Sequence, residues 1–221
     1  MWVWDGRDWR IGIPPRQQPP GLFWFLTVPD ALGDLMLMML IGLIPFVGTM
    51  VVYGWYLAAR DHMRSGYWVV PRATFDHLGR GVGPFVAQLL YGAYSAAVYL
   101  AIVVAFTAAI LLHAPAIVSF LVWLAFIPAA LALTLANGFI FGAMIAIADQ
   151  DGIGAACNPL RTFDVAVANA SASWRVFGWY LLGALIGIAI GVVIPFGGAL
   201  VLPAAVLMAV PAQVEIAPRR V

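Results

Sequence analysis

The residues of this chain that could do chemistry are few and scattered. Asp30 and Asp34 lie four apart, one helical turn, a spacing at which paired carboxylates could act as general acid and base. The same two carboxylates precede an apolar run, where they would cap a helix and complement its dipole, and that is the expected role. Asp149 and Asp151 beside Gly152 faintly resemble a calcium loop, but the remaining ligand positions and the closing Glu are missing, so a helix-terminating turn is expected. His62 and His113 each fall at the edge of an apolar run, where an imidazole could ligate a haem or chlorophyll. Plain solvation at an interface is the simpler expectation. Cys157 is the single cysteine, which excludes an internal disulfide and thiolate-based zinc or iron–sulfur sites. No Ser-His-Asp set, Gly-rich phosphate loop or zinc spacing is present. The expectation is a non-enzymatic protein with no catalytic residues, no cofactor and no metal.

A second group of polar residues sits inside apolar sequence: Gln88, Ser95 and Thr107 in one stretch, Thr134 and Asn137 in the next. Such groups hydrogen-bond across helices in lipid, whereas a transport path more often shows ionisable residues at mid-membrane. None occurs in residues 84–112, 116–148 or 176–214, which lack Arg, Lys, Asp and Glu altogether. Small residues supply the strongest local signal. Gly183, Gly187 and Gly191 repeat every fourth position, and Gly138 with Gly142 makes a second pair; this spacing lets helix backbones approach closely. Packing within the chain is the first reading, docking of a partner subunit the second.

The elements that must position these residues follow from composition. Of 221 residues, 64% are hydrophobic and 10% charged, against about 25% charged in ordinary soluble domains. The charge-free runs exceed the ~20 residues that cross a ~30 Å hydrocarbon core. An integral membrane protein of the cell membrane is expected, with the lipid bilayer as its first partner. The net charge of +1 offers no basic stripe for nucleic acid. All eleven cations are Arg, which is read as codon bias. The first twenty residues lack an uninterrupted apolar core, so no cleavable signal peptide is expected.

Along the chain, residues 1–29 read as a polar, Trp-rich tail with an aromatic interfacial anchor at 22–26. The Trp and Arg of that tail would equally suit docking to a partner. Residues 30–214 read as the transmembrane domain and 215–221 as a short C-terminal tail. Helix breaks are expected at Pro45 and Gly48, at Pro128, and at Pro195, Gly197 and Gly198. Ile44-Pro45-Phe46-Val47-Gly48 and Ile194-Pro195-Phe196-Gly197-Gly198 share four of five positions, so a structural repeat is one reading and chance the other. The 116–148 run is about 50 Å as helix, too long to stand upright, and must tilt, kink at Pro128 or project. Within 149–175, Leu160, Phe163, Val167 and Ala170 predict a short amphipathic helix lying at the surface, from Asn158-Pro159. The fold class expected is all-α, a polytopic bundle of about five to six passes. Residues 30–60 form either one kinked span or a re-entrant hairpin near Pro45. Either way the positive-inside rule puts loops 60–83 and 149–175, with six Arg between them, in the cytoplasm. The hairpin puts all eleven Arg on one side and is preferred.

Ile44-Pro45-Phe46-Val47-Gly48, Tyr53-Gly54-Trp55-Tyr56, Arg60 and Gly66 resemble the start of an uncharacterised prokaryotic multipass membrane family, classified as a domain of unknown function. Ile127-Pro128, Asp149-Gln150-Asp151-Gly152, Arg161 and Trp174-Arg175 resemble the same family and the related membrane domain of glycerophosphodiester phosphodiesterases. The likeness covers roughly residues 30–214, and its motifs are Gly, Pro and apolar. It implies about five or six helical passes and no chemistry, because the family has no catalytic or binding residues to transfer. No soluble phosphodiesterase domain is attached, and the Trp-rich tail lies outside the pattern. Together these features predict an accessory or scaffold subunit of a larger membrane assembly, respiratory or photosynthetic complexes among the candidates, working by helix–helix contact with other membrane subunits. The alternative is a small-solute or lipid-handling permease with a polar cavity near Pro45 and Pro195.

Overall fold

Long apolar runs punctuated by Pro and Gly fold into consecutive helices in the computed structural model, which describes residues 2–4, 9–11, 24–112, 115–193 and 197–216. Two three-residue strands, β1 (Trp2–Trp4) and β2 (Trp9–Ile11), pair antiparallel, with Val3 opposite Arg10. The rest of the expected tail lies outside the described residues as far as Trp24. There a 3-10 turn, Trp24–Thr27, buries Trp24 and Phe25. The Trp24 indole donates to the Leu207 carbonyl at 3.0 Å, so this end of the expected interfacial anchor faces the protein interior.

The first deep segment is two helices, α1 (Ala31–Gly42) and α2 (Val47–Arg64). Between them Phe46 has φ 59 and ψ −59, and the Val47 amide donates to the Pro45 carbonyl at 2.6 Å. That is a γ-turn of the rare, strained hand. Both arms reach the same extended segment: Ala73 N donates to Asp34 Oδ1 at 3.0 Å and the Trp55 indole to the Pro71 carbonyl at 2.7 Å. The arms are therefore antiparallel, and 30–60 is a hairpin bent at Pro45. Gly48 is not itself a break. It lies in the first turn of α2, where a side chain would collide with the Ile41 carbonyl. α2 ends in a Schellman motif: Gly66 takes φ 89, Tyr67 N donates to the His62 carbonyl and Gly66 N to that of Met63.

α3 (Leu78–Leu111) and α4 (Ala116–Gln150) are the longest helices, about 50 Å each. Pro128 lies inside α4, so the break expected there is absent; the ring removes one backbone donor while the neighbouring turns carry the helix through. Pro84 in α3 and Pro203 and Pro211 in α8 are likewise accommodated. The expected loop 60–83 shrinks to the segment between α2 and α3. The expected loop 149–175 contains α5 (Ile153–Ala156), α6 (Pro159–Ala168) and the start of α7 (Ala170–Val193). Asn158 caps α6, its side-chain oxygen accepting from Leu160 N and Arg161 N. Thr162, Val165 and Ala166 face inward, while Leu160, Phe163 and Val167 are exposed. α8 (Gly197–Val214) closes the bundle. Gly197 and Gly198 are its first helical residues rather than a break, and Pro195 lies outside the described residues. The C-terminal tail begins by packing: Ile216 is fully buried and its carbonyl accepts from Arg64 at 2.9 Å.

Apart from the β1–β2 ladder, the described secondary structure is helical. Two of the described helices are long and apolar enough to cross a membrane, over Phe75–Ala108 and Leu124–Gln150. The core gathers on α2, the lower part of α4 and α8, around Trp55, Tyr56, Met144, Ile145 and Leu207. From Phe139 to Ala148 α4 is buried continuously. From Pro115 to Gly138, and from Gly92 to Leu112 on α3, no described residue is buried.

Candidate functional site

At the base of the bundle four charges form one network. Arg60, 1% exposed, donates through Nη2 to Asp149 Oδ2 at 2.5 Å and to Asp61 Oδ1 at 3.0 Å. Arg80 donates through Nε to Asp149 Oδ1 at 2.7 Å and through Nη2 to Asp61 Oδ2 at 2.6 Å. Two guanidinium groups against two carboxylates leave no net charge, and the network ties the end of α2 to the first turn of α3 and the last turn of α4. Such pairing offsets the cost of burying Arg60. Beyond it Arg64, at the last residue of α2, is lowered from its ordinary pKa by burial first and by the charge of Arg60 second. Asp151 is held separately by Arg161 at 2.6 Å, and Arg175 pairs with Glu215. Asp149 and Asp151 thus turn to different partners. Among the described residues no group of three His, Cys, Asp or Glu is placed to hold a metal ion.

The other acidic pair also divides. Asp30 occupies the N-cap position of α1 with φ 61 but its side chain makes no cap hydrogen bond. Asp34, 7% exposed, instead accepts the Ala73 amide. His62 lies in the last turn of α2, and His113 lies outside the described residues.

Three of the five singled-out glycines meet neighbours within the chain. A side chain at Gly138 would strike the Phe177 ring, one at Gly142 would meet Ile216 and Gln213, and one at Gly183 would meet Ala205 of α8. The surroundings of Gly187 and Gly191 lie outside the described residues. Two equally tight glycines were not singled out by spacing: Gly54 abuts the His77 carbonyl and Gly81 the Met50 carbonyl. They sit on different helices, α2 and α3, so no repeat within one helix could reveal them.

Above the charged base, α3, α4 and α7 enclose a half-open groove of about 400 Å³. Aromatic walls come from Tyr99, Phe141, Phe177 and Tyr180, with Phe141 and Tyr180 ring centroids 4.8 Å apart. Its polar groups are Gln88, Ser95, Thr134 and Asn137, and no ionisable acid or base other than the tyrosines lines it. Asn137 Nδ2 donates to Ser95 Oγ at 2.6 Å, the cross-helix bond that such residues promise, and the Ser95 hydroxyl donates to the Tyr91 carbonyl at 3.0 Å. Thr107 and Thr134 bond back to Val103 and Ala130 on their own helices. The Gln88 amide, the Asn137 side-chain oxygen and the Tyr180 hydroxyl make no hydrogen bond among the described residues. Uncommitted polar groups converge in this groove. No family model, no curated protein and no solved structure matches the chain.

Proposed function

We propose that this chain is a non-enzymatic multipass protein of the cell membrane that works by helix–helix contact, as an accessory or scaffold subunit of a larger membrane assembly. One observation carries the reading. Beyond the part of α3 and α4 that meets α7, residues 100–112 and 115–133 hold no buried residue among those described. From the Asp149 layer to Ala116 is about 50 Å of helix, against a hydrocarbon core of ~30 Å. Tilt, a kink at Pro128, projection beyond the bilayer or a covering subunit takes up the excess, and a subunit also gives the exposed Leu121, Leu124, Ile127 and Leu131 a packed neighbour.

The charged base supports the topology. Arg60, Arg64, Arg80, Arg161 and Arg175 gather at the end where α2, α4 and α8 finish, so the 60–83 and 149–175 segments belong to one compartment, the cytoplasm by the positive-inside rule. The exposed Leu160, Phe163 and Val167 of α6, with Phe163 edge-on and Trp174 tilted against Phe139, suit the headgroup level there. Mild detergent extraction from native membranes, followed by mass spectrometry of co-purifying chains, tests the subunit role. A photo-crosslinker at Leu124 should capture a defined partner chain. Recovery of the monomer alone, with lipid-only adducts at Leu124, would refute it. The groove favours a second reading, lipid handling, on its own account.

A further inference from the structure

We infer that the groove between α3, α4 and α7 is a binding site for an uncharged membrane amphiphile, one whose head carries carbonyl or hydroxyl oxygens on an apolar body. The inference rests on the bilayer placement proposed above, not on the subunit role.

Depth comes first. Gln88 and Phe141 stand about 12 Å above Arg80 and Asp149, and Ser95 and Asn137 about 18–22 Å, at ~1.5 Å rise per residue. With the charged layer at one edge of a ~30 Å core, these levels straddle the midplane. A phospholipid head does not reach there. A plain acyl chain reaches, but leaves the Gln88 amide, the Asn137 oxygen and the Tyr180 hydroxyl without partners, and unmet polar groups are costly in hydrocarbon.

Chemistry narrows the occupant further. Nothing lining the groove is charged at neutral pH, so neither an anionic nor a cationic head finds a counter-charge. Gln88 and Tyr180 can donate, and Asn137 and Gln88 can accept, which matches carbonyl and hydroxyl oxygens of a neutral head. The rings of Tyr99, Phe141, Phe177 and Tyr180 offer flat apolar walls to the body. The volume falls within the ~300–1,000 Å³ usual for small-molecule sites, and the open side gives lateral entry from the bilayer. A partner helix is the poorer fit, because its backbone polar groups are already satisfied internally.

Two membrane sources offer this chemistry, isoprenoid quinones and diacylglycerols. The full chain is reconstituted in phosphatidylcholine nanodiscs, insertion being confirmed by retention in the disc fraction. Binding is then titrated with a decyl-benzoquinone and, separately, with dioctanoylglycerol. Saturable one-to-one binding of either probe is expected, and the arm that binds names the source. Gln88→Leu should weaken it about five- to tenfold, the worth of one lost hydrogen bond. Gln88 makes no bond within the described chain, so this variant should fold as the parent does. Asn137→Leu should weaken binding by at least as much, while Ile127→Leu, outside the groove, should leave it unchanged. Absence of saturable binding by both probes in inserted protein, or equal affinity in all three variants, overturns the site. So does a photo-crosslinker at Gly92 that yields a protein adduct from native membranes with no lipid adduct.

Discussion

Asp149 receives hydrogen bonds from two guanidinium groups on two other helices, while Asp151, two residues on, meets only the half-exposed Arg161. Their spacing in the sequence makes them look equivalent; burial separates them. Removing one partner of a buried pair leaves an uncompensated charge and costs about 3–5 kcal/mol, whereas an exposed pair is worth about 0–1 kcal/mol. Asp149→Asn should therefore lower the thermal midpoint in detergent sharply, and Asp151→Asn should shift it little. Equal midpoints for the two variants would mean that the Arg60 network carries no weight. Asp34 teaches the same lesson. Its place in the first turn of α1 reads as a capping carboxylate, yet its partner is an amide 39 residues away, which only the hairpin brings near.

At the scale of elements, local signals and close contacts part company. The Asn158-Pro159 start of α6, the bend at Pro45 and the long charge-free runs of α3 and α4 were all legible, because capping, proline geometry and hydropathy are properties of neighbouring residues. Pro128 misled, since a proline inside an apolar helix can be absorbed by adjacent turns. The amphipathic stripe of α6 was legible as a pattern; Leu160, Phe163 and Val167 point outward while the smaller Thr162 and Ala166 face the core. Among glycines, spacing alone cannot tell a contact from an idle position. Gly183 lies against Ala205, whereas Gly92 on α3 has nothing within reach of an added Cβ. Gly183→Leu should force α7 and α8 apart and reduce the yield of folded, monodisperse protein severalfold. Gly92→Ala should be neutral or slightly stabilising, by up to about 1 kcal/mol, since alanine favours the helical state. Size-exclusion profiles and melting curves of the pair check this, and matching behaviour of the two variants would reduce the α7–α8 crossing to a loose contact.

At the scale of the whole molecule, charged contacts gather helix ends into one layer. The Arg60–Asp149–Arg80 network, the Arg64–Ile216 bond and the Arg175–Glu215 pair place the ends of α2, α4 and α8 in one layer with the starts of α3 and α7. The groove, by contrast, was legible only as a set of polar residues on α3 and α4; its third wall, Phe177, Tyr180 and Leu181 of α7, gave no signal of its own, being ordinary apolar sequence. The topology makes a measurable claim. With Cys157 replaced by Ala, single cysteines are introduced at Ser65, Asn169 and Leu112 and treated in intact cells with a membrane-impermeant maleimide. Ser65 follows α2 and Asn169 precedes α7, so both belong to the charged layer and should be protected until the cells are opened. Leu112, 80% exposed at the far end of α3, should be labelled from outside. Labelling of Ser65 and Asn169 from opposite sides would break the shared layer. Protection of all three would instead mean that the α3–α4 tip is covered, as the proposed partner subunit would cover it.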